Sequence, residues 1–142
     1  MREILFRGKS IVADSPNTPG YWLKGNYISR VLDFEDGTTV IENHIVERDS
    51  YINIYLDSDT EVWPETIGQY IGLKDRDGRR IFEGDILESP VKRVGQKLGN
   101  LIVITDIREC KYLALYVSEY SIIGNVYDNP ELLGEHERTE RT

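Results

Sequence analysis

The 142-residue chain is 39% hydrophobic and 30% charged, with a formal net charge of −8. A chain of this length buries about two-thirds of its unfolded surface, so one domain, or two small subdomains, folds without staples. The composition excludes a disordered chain. No apolar run approaches the roughly 20 residues a membrane-spanning helix needs. The acidity argues against a general nucleic-acid binder, whose affinity comes from neutralising phosphates.

In chain order, "EILFRG", "GYWLKGNYI" and "TTVIENHIV" are candidate strands, with "DFEDGT" supplying an Asp-Gly hairpin turn between the last two. The opening "MREILFRGKSIVADS" has an apolar patch too short, and too interrupted by charge, for a signal peptide, so a cytoplasmic location is the expectation. "FRGKS" ends like a phosphate-binding loop. The window that loop requires begins with Glu3 instead of glycine, and no helix follows. "ADSPNTPG" (13–20) is a loop rich in turn formers. "YINIYL" alternates Ile52, Ile54 and Leu56 against Tyr51, Asn53 and Tyr55, the grammar of a strand. "LIVITDI" (101–107), "KYLALYV" (111–117) and "SIIGNVY" (121–127) read the same way. "ESPVKRVGQKLGN" (88–100) is a polar, basic loop. "DNPELL" is the one helix signal: Asn129 caps, Pro130 suits the first helical position, and "GEHERTERT" frays.

Strands every ten or so residues predict an all-β fold: a small barrel-like C-terminal part, an additional N-terminal β subdomain, and a short C-terminal helical turn. The charge balance shifts near "DSDTEVWPE". Residues 1–66 hold 12 acidic against 6 basic side chains, whereas residues 67–129 hold 9 of each. The expected organisation is an acidic N-terminal subdomain over 1–60, a C-terminal subdomain over 61–133, and a flexible tail over 134–142.

The densest patterning lies in "IGLKDRDGRRIFEGDIL" (71–87). Asp75, Asp77 and Gly78 invite comparison with a calcium loop. With Gly78 at loop position 6, however, the two anchoring positions fall on Leu73 and Gly84, neither of which is a ligand. A structural turn explains more. Gly78 takes a positive φ, Gly84 lets the chain bend, and Asp85 accepts backbone N–H groups as the next strand starts.

Nucleophilic and acid–base chemistry has a thin inventory: one cysteine, Cys110, and two histidines, His44 and His136. Glu83 and Asp85 are the nearest thing to a catalytic carboxylate pair, and such pairs are common turn residues in an acidic protein. No catalytic residue, cofactor site or metal site is therefore expected. Candidate interaction residues are Tyr112 and Tyr116, placed on one strand face opposite Leu113, Leu115 and Val117. A basic set, Arg79, Arg80, Lys92 and Arg93, with Lys97 beside it, joins them.

"ETIGQYIGLKDRDGRRIFEGDIL", followed downstream by "IIGNVYDNPELL", resembles the YopX family of bacteriophage and prophage proteins. "MREILFRGK" and "GYWLKGNYI" are similar to that family's N-terminal pattern. The stretches from Val31 to Asp59 and from Pro90 to Tyr120 carry no pattern of it. The resemblance implies a small, mostly β protein with a compact barrel-like C-terminal part, carried by phages; it supplies no activity, cofactor or catalytic residue. Its recognisable positions, among them Gly72, Leu73, Asp75, Gly124 and Asn125, each have a backbone or packing reason. The functional expectation is a non-enzymatic accessory protein that binds a host or phage protein, in one variant as an acidic mimic filling a basic groove. A nucleic-acid-binding β barrel using the 88–100 loop is the first alternative, and a carboxylate-based hydrolase the second.

Overall fold

A computed structural model of the chain describes residues 3–47, 60–91, 94–95 and 99–134. The chain forms two compact units, one over Ile4–Gly68 and one over Gln69–Thr142 together with Met1–Glu3.

In the first unit β1 (Phe6–Lys9), β2 (Trp22–Asp33) and β3 (Thr39–Val46) run antiparallel in the order β3-β2-β1. The Asp-Gly turn closes the β2–β3 hairpin, where Phe34 N–H donates to the Thr38 carbonyl at 2.9 Å. Pairing then continues without a break from Asp33↔Thr39 down to Asn26↔Val46. Leu23, Ile45 and Val62 form the core, with Phe6 and Ile67 packed on it. Residues 60–62 lie beside the base of β3, because Ile45 N–H donates to the Thr60 carbonyl and Val62 N–H to that of Asn43. Lys9, the lysine of "FRGKS", is fully buried. Its Nζ donates to the Thr18 carbonyl at 3.0 Å and lies 5.5 Å from the centre of the Trp22 ring.

In the second unit β4 (Gly68–Lys74) pairs with β5 (Arg80–Phe82). Next, β6 (Asp85–Glu88) sits between β7 (Leu101–Val103) and β8 (Ser121–Asn125), both antiparallel to it. The fold is mainly β, as expected, but these strands form no closed barrel among the described residues. Ile71, Ile81, Leu87, Ile104, Leu113 and Val117 make the core. One helical turn at 131–134 follows Pro130.

"KYLALYV" is not a strand. Residues Ile107–Glu109, Leu113–Leu115 and Val117–Glu119 are successive 3₁₀ turns, the first capped by the Asp106 side chain accepting from Arg108 N–H. Leu113 and Val117, four residues apart, point into the core, while Leu115 is 82% exposed. Alternation put Leu115 with its neighbours; a helical repeat separates it from them. The "YINIYL" strand, with Tyr51 and Tyr55, falls outside the described residues, as do Lys92, Arg93, Lys97 and His136.

Gly78 and Gly84 have φ of +81° and +94°. Such values cost a residue with a Cβ about 1 kcal/mol or more. Gly84→Val is therefore expected to lower stability by at least about 1 kcal/mol in equilibrium urea unfolding. A variant as stable as the parent would mean that this turn tolerates an ordinary backbone.

Candidate functional site

The patterned 71–87 stretch is taken up by structure. Asp75 is the centre of it. One carboxylate oxygen accepts the N–H groups of Asp77 and Arg79, each at 2.9 Å. The other accepts Arg79 Nε at 3.1 Å and, across 47 residues, the N–H of Ile122 at 2.9 Å. Arg79 also donates to the Ile122 carbonyl at 2.7 Å. "KDRDGRR" and "IIGNVYDNPELL" are thus two halves of one clasp. Burial pushes the Asp75 carboxyl up, but the N–H groups of Ile122 and Arg79 and the Arg79 charge outweigh it and hold the group below its ordinary value.

The neighbouring carboxylates are similarly occupied. Glu83 accepts Gln69 N–H at 2.7 Å and Ile107 N–H at 2.8 Å, and Asp85 accepts Phe82 N–H at 2.8 Å. Further along, Asn125 accepts the N–H groups of Tyr127 and Asp128. The Cys110 thiol donates to the Asp106 carbonyl, and burial, followed by the charges of Glu83, Asp106 and Glu109, raises its pKa. A thiol held protonated is a poor nucleophile.

Of the basic candidates, Arg79 is drawn into the clasp, and Arg80 pairs with Glu3 at 2.8 Å while lying over the Tyr70 ring. Tyr112 and Tyr116 are exposed together with Leu115, on 3₁₀ turns instead of a strand face. Lys111 Nζ lies 5.0 Å from the centre of the Tyr112 ring, and Tyr116 meets Tyr120 edge-on.

Two features of the first unit carry no motif. The first is the outer half of the β2–β3 hairpin. Burial fades from Ile45 and Val46 at its base to Val31 and Ile41, which pair directly across the strands and are 59% and 60% exposed. Val40, paired with Leu32, is exposed on the opposite face, and Phe34 is exposed next to the turn. Acidic side chains ring the turn: Asp33 accepts the Thr39 hydroxyl, and Asp36 accepts both the N–H and the hydroxyl of Thr38. The Thr38 hydroxyl, then its N–H, holds the Asp36 carboxyl below its usual value.

The second is a cluster at the hairpin base. Glu42 and His44 stand two apart on β3, hence on one face, and Glu61 pairs across from His44 on that same face. Ligand atoms of the three lie within 4.8 Å of one another. His44 is 1% exposed; its Nδ1 lies 2.9 Å from the Thr60 hydroxyl and its Nε2 3.4 Å from Glu42 Oε1. Sequence reading took His44 alone, because Glu61 is brought to it only by the strand register.

The fold and these surfaces define a small, mainly β protein of two antiparallel units whose densest motif is a structural clasp. The YopX protein family model matches residues 15–134, and the chain belongs to the YopX family. The match takes in the stretches 31–59 and 90–120, in which the sequence carried no pattern of that family, and leaves "MREILFRGK" outside it. No curated protein matches the chain. Among solved structures it is similar to protein EF1440 from Enterococcus faecalis, at 25% identity over 94% of this chain and 99% of that one, with a TM-score of 0.46. No helix among the described residues is long and apolar enough to cross a membrane.

Proposed function

We propose that this YopX-family chain is a non-enzymatic phage or prophage accessory protein, working in the bacterial cytoplasm, whose β2–β3 hairpin docks on a host or phage protein. The observation that carries this reading is the exposed Val31–Ile41 pair on a long, well-registered ribbon. An exposed cross-strand apolar pair rimmed by polar groups suits the centre of a small protein interface. Asp33, Glu35 and Asp36 at the turn select a partner whose apolar groove is edged by basic side chains. The same end of the hairpin serves the mimicry variant, in which its charge stands in for phosphates.

The test is capture from host lysate with and without nuclease, followed by titration of the purified partner. The double variant Val31→Ser, Ile41→Ser is expected to weaken binding by at least about tenfold, since central apolar side chains carry much of an interface's energy. Its melting temperature should stay within about 2 °C of the parent, because exposed side chains contribute little to stability. Undiminished binding of the double variant would remove the hairpin from the interface. Capture of nucleic acid that nuclease abolishes would overturn the protein-binding reading altogether. Binding that disappears at high salt favours mimicry.

A further inference from the structure

We infer that Glu42, His44 and Glu61 form a binding site for a divalent first-row transition metal ion, of which zinc is the best fit. The donors come from one face of a fixed ribbon: 42 and 44 alternate on β3, and Glu61 is set opposite His44 by a backbone bridge. Their positions therefore depend on strand register, not on loop conformation.

The spacing accommodates a bound ion as well as it does a long hydrogen bond. His44 Nε2 and Glu42 Oε1 are 3.4 Å apart, long for a charged hydrogen bond. Two ligands at zinc distances on a tetrahedral ion stand about 3.4 Å apart. With all three donor atoms within 4.8 Å, Glu61 reaches the same ion by a side-chain adjustment of about 1 Å. Among the described residues Glu61 has no other hydrogen-bond or ion-pair partner for its carboxylate.

The outer shell suits a metal as well. A ligating histidine typically donates its other ring N–H to a neighbouring acceptor. The Thr60 hydroxyl stands 2.9 Å from Nδ1 in that position. With the proton on Nδ1, the Nε2 lone pair faces the Glu42 carboxylate, and a cation between them relieves the opposition of two acceptors. Arg30 Nε lies 3.6 Å from Glu42 Oε1 and offsets one of the two carboxylate charges. Glu42, Glu61 and Arg30 together leave a net −1, enough to favour a dication. One imidazole with two carboxylates selects zinc or manganese over calcium and magnesium, which prefer oxygen alone.

The experiment uses the full, tag-free chain. Saturating zinc is expected to raise the melting temperature by about 5 °C. Glu61→Gln should melt like the parent in EDTA and lose that rise with zinc; magnesium should give none. In parallel, imidazole ¹⁵N spectra should show zinc shifting Nε2 of His44 while leaving His136 in place. The inference is overturned by no rise with zinc, by an equal rise in Glu61→Gln, or by spectral changes confined to His136.

Discussion

Asp75→Ala is expected to destabilise the second unit by at least about 3 kcal/mol, with a fall in melting temperature on the order of 10 °C. The Asp75 side chain is fully buried in the clasp, and its two oxygens serve three backbone N–H groups as well as Arg79. Removing the carboxylate strands those donors. Each hydrogen bond to a charged group contributes about 1.5–3 kcal/mol, and a donor left unsatisfied in the interior costs about as much. Three donors exceed the loss expected of any single exposed salt bridge, so the Arg79 pair alone does not set the magnitude.

The pH dependence has a definite sign. The folded-state pKa of Asp75 lies below the ordinary 3.8, so the native fold favours the ionised form. Its contribution is fully present above the unfolded value and is lost as pH falls through the folded one. The stability gap between parent and Asp75→Asn should therefore be widest at neutral pH and narrow in acid below about pH 4. Equilibrium denaturation at several pH values measures it. A gap that is constant down to pH 2, or a neutral-pH loss under about 1 kcal/mol, would mean the clasp is ornamental.

The clasp also marks how far sequence reasoning reaches. The turn chemistry was legible: Gly78, Gly84 and Asp85 are local features, and local features leave local signatures. The "DFEDGT" hairpin was legible for the same reason. What Asp75 does was not, because its decisive partner, Ile122, is 47 residues away and contributes only a backbone N–H, which any residue has. The Glu42–His44–Glu61 cluster was hidden in the same way, since an isolated bridge between 44 and 61 leaves no periodicity behind.

The misreading of "KYLALYV" has a different origin. Period two and a helical spacing of four coincide for Leu113 and Val117, so only Leu115 separates them, and an exposed leucine is not anomalous in itself. The discriminating signal was upstream: Asp106 before "IRE" is a helical cap. The strand read in "GYWLKGNYI" stops at Ile28, whereas β2 runs on to Asp33, and nothing in the pattern told that the Val31 face is left uncovered. Periodicity assigns residues to faces; whether a face meets a partner is a tertiary property.

That uncovered hairpin depends on its base, where Gly25→Ala is expected to cost at least about 3 kcal/mol. Gly25 of β2 pairs with Phe6 of β1, and the neighbouring Asn26 pairs with Val46 of β3. A Cβ at Gly25 would collide with the Val46 carbonyl oxygen and come within 2.9 Å of Glu47 Cα. Both obstacles are backbone, so no rotamer change relieves them. The end of β3 must move away, and it carries buried His44, Ile45 and Val46 with it. Amide exchange at Ile45, whose N–H is bound to the Thr60 carbonyl, should accelerate along with the fall in stability. Gly134→Ala, with open space around the added methyl, is the control and should stay within about 0.5 kcal/mol. Because the bond from Ile45 N–H to the Thr60 carbonyl helps hold residues 60–62 against β3, where Glu61 faces His44, a loosened base should also abolish the zinc response, even with all three ligands intact. A Gly25→Ala protein with parental stability and parental exchange at Ile45 would mean that β2 and β3 have room between them at this level, and the rigid footing argued for the hairpin would be lost.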